Sequence, residues 1–61
     1  MPIVTVEMFE GRTVEQKKKL VEDITSAVTK LGVSPEAVYI IIKDNPKHNC
    51  AKGGKLASEL S

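Results

Sequence analysis

Cys50 is the only cysteine in the chain and His48 the only histidine. One thiol cannot close an intramolecular disulfide, and one thiol with one imidazole falls short of a structural metal site, so neither a disulfide framework nor a Cys/His metal cluster is expected. No apolar stretch approaches the roughly 18 residues that a membrane span needs. No basic segment followed by an apolar one opens the chain, so no signal peptide is expected and a cytoplasmic location follows by default. Charge of one sign is also lacking: nine Lys and Arg against eight Asp and Glu leave a formal net charge of +1, which offers no electrostatic footprint for nucleic acid. The run Lys17-Lys18-Lys19 is flanked by Glu15, Glu22 and Asp23 and reads as a solvated helix face. Familiar catalytic signatures are missing too. There is no Ser-His-Asp set beyond His48, no dinucleotide fingerprint and no Walker loop, because Gly53-Gly54-Lys55 lacks the upstream glycine and the following Ser or Thr.

What is present is 61 residues, 41% of them apolar, enough for a single domain over residues 1–61. A lone copy of that size buries only about 60% of the surface its unfolded chain exposes. Small domains make up the deficit with disulfides, metals or partner subunits. With the first two excluded, self-association remains.

Ile3 to Phe9 is rich in β-branched residues and predicts a strand, broken by Glu10-Gly11-Arg12. Thr13-Val14-Glu15-Gln16 fits a capping box and predicts a helix start. Val14, Leu20, Val21, Ile24, Ala27, Val28 and Leu31 recur at three- and four-residue steps and predict one buried stripe, with Gly32 as the glycine just past the helix end. Ser34-Pro35-Glu36 is a turn. Val38 to Ile42 is a nearly unbroken apolar run, the pattern of a strand covered on both faces, and Asn45-Pro46 ends it. Two strands joined by a long helix predict a parallel β-α-β unit with a right-handed crossover. Gly53-Gly54 predicts a short hairpin that packs on another subunit. One helix cannot cover both faces of a two-stranded apolar sheet, so sheets from several copies are expected to pack back to back in a closed assembly.

The remaining source of chemistry is the chain start. Removal of Met1 exposes the secondary amine of Pro2. An α-amino group has a reference pKa of about 7.7 to 8.0, and an apolar site or a nearby cation lowers it by disfavouring the charged form. A neutral amine near physiological pH is a competent general base. Taken alone, Pro2 reads rather as the start of an edge strand, a residue without a donor.

Met1-Pro2-Ile3, Glu10-Gly11-Arg12 followed by Glu15-Gln16-Lys17, Val38 with Ile40-Ile41-Ile42, and Gly53 to Ser58 occur in an order, spacing and length that resemble the 4-oxalocrotonate tautomerase family. The resemblance implies an α+β fold, a β-α-β subunit with a short C-terminal hairpin, assembled as a homohexamer with active sites between subunits. It implies a cofactor-independent isomerase acting on a small enol or dienol acid, a 2-hydroxy-2,4-dienoate, 2-hydroxymuconate or enolpyruvate type, with Pro2 as catalytic base and acid. Arg12 stands where the family binds the far carboxylate. Tyr39 stands where the best-known members carry a second arginine, and it brings one hydrogen-bond donor and no cation. Cys50 stands where an aromatic usually walls the pocket. These two departures keep other readings open: a non-catalytic oligomeric binding module, hydratase or dehalogenase chemistry on the same scaffold, or a Cys50 nucleophile activated by His48 or Lys52.

Overall fold

In the computed structural model, which describes residues 1–60, strand β1 covers Ile3–Phe9, helix α1 Val14–Thr29 and strand β2 Tyr39–Asn45. β1 and β2 are parallel and in register from Ile3 opposite Tyr39 to Phe9 opposite Asn45. Strands running the same way need a long crossover, and α1 supplies it. A two-stranded hairpin, β3 (Ala51–Lys52) and β4 (Lys55–Leu56), and a single-turn helix α2 (Ala57–Leu60) complete the chain. Short 3-10 turns at Pro35–Ala37 and Lys47–Asn49 lead into and out of β2.

The capping box forms as predicted. The Gln16 N–H donates to Thr13 Oγ1 at 3.1 Å and the Thr13 N–H donates to Gln16 Oε1 at 2.9 Å, satisfying two donors that the first helical turn leaves unpaired. The other end differs slightly from expectation. Lys30 is the C-cap, so Gly32 (φ +96°) stands two residues past it rather than one. Its N–H donates to the Thr29 carbonyl at 2.9 Å and that of Leu31 to Val28 at 2.9 Å. Such i→i+3 bonds tighten the last turn and carry the chain one residue further before a left-handed residue is needed.

The second strand also departs from the apolar run. Val38 closes the 3-10 turn, its N–H on the Pro35 carbonyl, and pairing continues through the polar Lys43, Asp44 and Asn45 because Glu7, Met8 and Phe9 lie opposite them. Ladder hydrogen bonds override the local change in polarity. In the hairpin, Gly53 and Gly54 have φ of +61° and +81°, the two positive values of the tight turn that matches strand twist.

One face of the sheet meets α1. Val4, Val6, Met8, Ile40 and Ile42 are half-buried there, as are Leu20, Val21, Ile24 and Val28 of the helix. Lys17 Nζ reaches Asp44 Oδ2 at 2.6 Å and ties helix to strand. Of the predicted stripe, Leu20, Val21, Ile24 and Val28 are half-buried, while Val14, Ala27 and Leu31 remain exposed. The opposite sheet face is bare, with Ile3 63%, Tyr39 59% and Ile41 38% exposed.

No described residue is fully buried. The molecule measures 42 × 24 × 13 Å with a radius of gyration of 14.6 Å, against about 10.5 Å for a compact chain of this length. Its accessible surface is 4773 Å², against about 3,900 Å² for a folded monomer of its mass. A single copy thus leaves unburied the apolar surface that a folded monomer of this size removes from water.

Candidate active site

Four residues were predicted to serve the site, and the fold gathers them at two poles of the sheet. At one pole, the Tyr39 N–H donates to the Pro2 carbonyl at 2.9 Å, an additional rung before the strand pair begins. Pro2 is half-buried. Tyr39 lies opposite Ile3, so its side chain shares the helix-free face with Ile3, Thr5 and Ile41. Charge is scarce here: between Met1 and Val6, and between Leu31 and Ile42, Glu36 is the sole ionisable residue besides Tyr39 and the chain terminus. Met1 precedes Pro2 and is 92% exposed. While it is attached, the Pro2 nitrogen is an amide and holds no basic lone pair.

The other pole lies at the far end of β1, roughly 20 Å away at about 3.3 Å per residue. Here the Glu10 N–H donates to the Asn45 carbonyl at 3.0 Å, and Gly11 turns the chain with φ of +121°, a value that favours glycine. Arg12 follows, directly before the Thr13 cap. It lines a cleft of about 260 Å³ with Met8, Gln16, Lys17 and Leu20. Cys50 belongs to this pole as well. It shares a cleft of about 370 Å³ with Glu7, Met8, Phe9 and Asn45. Its half-buried thiol is 3.7 Å from the Pro46 carbonyl, to which it donates. That carbonyl, rather than the His48 imidazole, is its hydrogen-bond partner, so among the described residues no base is hydrogen-bonded to the thiol.

The structure therefore joins Pro2 with Tyr39 at one pole and sets Arg12 and Cys50, which line separate clefts, at the other. A small acid cannot span the sheet, so Pro2 and Arg12 of one copy do not serve one molecule of substrate together. Sequence reasoning did not single out Lys47 or Phe9 for the site. Lys47 Nζ stands 5.9 Å from the centroid of the Phe9 ring, and both line a further cleft with Arg12. Residues 38 positions apart are brought together by strand register, which composition does not disclose.

A family model described as tautomerase enzyme matches residues 2–59. The 2-hydroxymuconate tautomerase of Bacillus subtilis (strain 168) is 46% identical over 61 residues, with 98% of each chain covered. Among solved structures, YwhB, a homologue of 4-oxalocrotonate tautomerase, is similar with a TM-score of 0.92 and 44% identity over 98% of this chain and 100% of that one. A heterohexamer 4-oxalocrotonate tautomerase from Chloroflexus aurantiacus J-10-fl is similar with a TM-score of 0.91 and 31% identity over the whole of both chains. The similarity takes in the β-α-β unit, the hairpin and both poles, and on it the chain belongs to the 4-oxalocrotonate tautomerase family and is an isomerase of the tautomerase type.

Proposed function

We propose that this protein, acting as a single domain of residues 1–61, interconverts enol and keto forms of 2-hydroxy-2,4-dienoate, 2-hydroxymuconate-like or enolpyruvate acids, and that the amine of Pro2 moves the proton. The observation that carries the reading is the position of Pro2. Its carbonyl is pinned by Tyr39, its ring is half-buried beside apolar residues, and few charges lie near it. An amine in such a setting is disfavoured in its cationic form and so is available as a base. Once Met1 is removed, that amine takes the proton from the 2-hydroxyl, electrons shift along the conjugated chain, and the same proton is delivered to a distant carbon. The protonated amine returns to its neutral form, and no cofactor takes part.

Arg12 of a neighbouring copy anchors the far carboxylate, its planar guanidinium matching the two oxygens. The Tyr39 phenol donates to the oxygen that gains negative charge. Cys50 forms part of the pocket wall. The working form is a homohexamer in the cytoplasm. The bare sheet face and the missing core of the lone copy support an assembly of this kind, as does the heterohexamer formed by the relative from Chloroflexus aurantiacus.

The test is the rate of ketonisation of 2-hydroxymuconate and of phenylenolpyruvate, followed by ultraviolet absorbance on untagged protein whose mass confirms loss of Met1. Fast decay that collapses in Pro2→Ala is the expected result. Decay no faster than buffer would leave a binding module on a tautomerase fold, and halide release from a haloacrylate would reassign the amine to dehalogenation.

A further inference from the structure

Two cations without a carboxylate partner among the described residues share one cleft at the Arg12 pole. Among the described residues the ion pairs are Lys17 with Asp44, Lys18 with Glu15 and Lys19 with Asp23. Arg12 and Lys47 belong to none of them, and both line a cleft of about 350 Å³ together with Met8, Phe9, Glu10 and Gly11. The backbone sets this juxtaposition. The bond from the Glu10 N–H to the Asn45 carbonyl carries the parallel ladder one step beyond Phe9 and Asn45. Gly11 then turns one chain into Arg12, while Pro46 turns the other into the 3-10 turn that begins at Lys47. The ammonium stands 5.9 Å from the Phe9 ring centroid, at the limit of about 6 Å for attraction to a ring face. The ring is 46% exposed, so it holds the lysine beside the cleft without closing it off.

We propose that Lys47 is a specificity-determining residue that works with Arg12: the two cations hold one carboxylate, and the conjugated chain attached to it lies against Phe9. The proposal rests on the tautomerase reading above and narrows its substrate class to enol acids with a carboxylate at the end remote from the enol. A lone guanidinium on an exposed loop binds an anion weakly, because water screens it and the side chain must be ordered. A second cation held in place, beside the apolar surface of Met8 and Phe9, increases the attraction. Glu10 opposes it: its carboxylate lines the same cleft and leaves a net charge of one positive unit there. At the Pro2 pole no lysine or arginine lies between Met1 and Val6 or between Leu31 and Ile42, so recognition of a distant carboxylate falls to the Arg12 pole.

The experiment uses assembled, untagged protein lacking Met1. Calorimetric titration with muconate, a conjugated dicarboxylate without the hydroxyl and therefore unable to ketonise, is run beside kcat and KM for 2-hydroxymuconate. Lys47→Met keeps the stem and removes the charge. It is expected to weaken muconate binding about tenfold and raise KM by a similar factor, as loss of one charge-assisted contact does, while kcat stays within about twofold. Lys47→Arg is expected to restore affinity, and Glu10→Gln to tighten binding about threefold by removing the opposing charge. Equal affinity in the wild type, Lys47→Met and Glu10→Gln would overturn the proposal. Should Lys47→Met fail to assemble, unchanged affinity in Glu10→Gln alone overturns it. Failure of the underlying reading is seen separately: enol decay as fast in Pro2→Ala as in the wild type rejects amine catalysis, while the titration needs no turnover.

Discussion

The two ends of the β1–β2 sheet are built from opposite materials. Around Pro2 and Tyr39 the chain is apolar and nearly uncharged, and its one notable polar contact is a backbone hydrogen bond. Around Arg12 the chain carries Arg12, Lys17, Lys47 and Glu10, glycine at a positive φ, and a lysine set over an aromatic ring. The difference separates two tasks that conflict within one small pocket. A terminal amine needs surroundings that disfavour its cation, whereas an acid needs cations to hold it. Placing the two at ends roughly 20 Å apart lets each environment be set independently within one copy, and under the function proposed above association of copies would bring the base of one subunit to the anchor of another.

The contrast breaks first at Pro2. Pro2→Ala is expected to lower kcat by about a hundredfold or more, the lower range for a positioned acid-base group, as read by enol decay. Arg12→Ala should raise KM for 2-hydroxymuconate by roughly ten- to a hundredfold, matching a charged hydrogen-bonding partner worth about 1.5 to 3 kcal/mol. Mixing and reassembling the Arg12→Ala and Pro2→Ala subunits should recover activity that neither shows alone, because some sites then combine an intact amine with an intact arginine. No recovery in mixed assemblies would contradict the separation of the poles. Tyr39→Phe removes only a neutral donor, for which about 0.5 to 1.5 kcal/mol corresponds to a loss of up to about tenfold in kcat/KM. The smallest effect lies away from both poles. The exposed Lys19 ammonium sits 3.0 Å from Asp23, and that hydrogen bond holds its pKa above the ordinary lysine value. A raised cation pKa contributes stability that is present below the ordinary lysine range and lost as pH rises through the folded value. At neutral pH that contribution is fully present, so Lys19→Ala should lower thermal stability there, but only within the small range that exposed pairs show, as read by thermal melts.

Much of this architecture is legible in the sequence wherever the signal is local. Thr13 and Gln16 announce the helix start because a capping box needs only four residues. The β-branched run from Ile3 announces its strand, and Gly53-Gly54 its turn. What stays hidden depends on pairing across the fold. The end of the second strand at Asn45-Pro46 is legible, whereas its pairing of Lys43 to Asn45 with Glu7 to Phe9 is not. Val14, Ala27 and Leu31 carry helical periodicity, yet they remain exposed. Pro2 and Arg12 can be named from family resemblance, while their separation within one copy follows only from the direction of β1. Lys47 carries no motif, and its contact with Phe9 exists because Glu10 and Asn45 extend the register.

The bond between the Pro2 carbonyl and the Tyr39 N–H also bears on how a reactive atom can be positioned. Proline has no N–H to give the ladder, so cleavage of the Met1–Pro2 peptide bond removes no rung from the sheet, and the carbonyl that fixes the residue is untouched. The nitrogen it exposes belongs to a closed ring on the main chain. A lysine or glutamate base must freeze several side-chain torsions before it can act, at about 1.5 to 2 kcal/mol of rotamer entropy. An amine within the pyrrolidine ring has no such torsions to freeze, and its precision of placement is that of a β-strand.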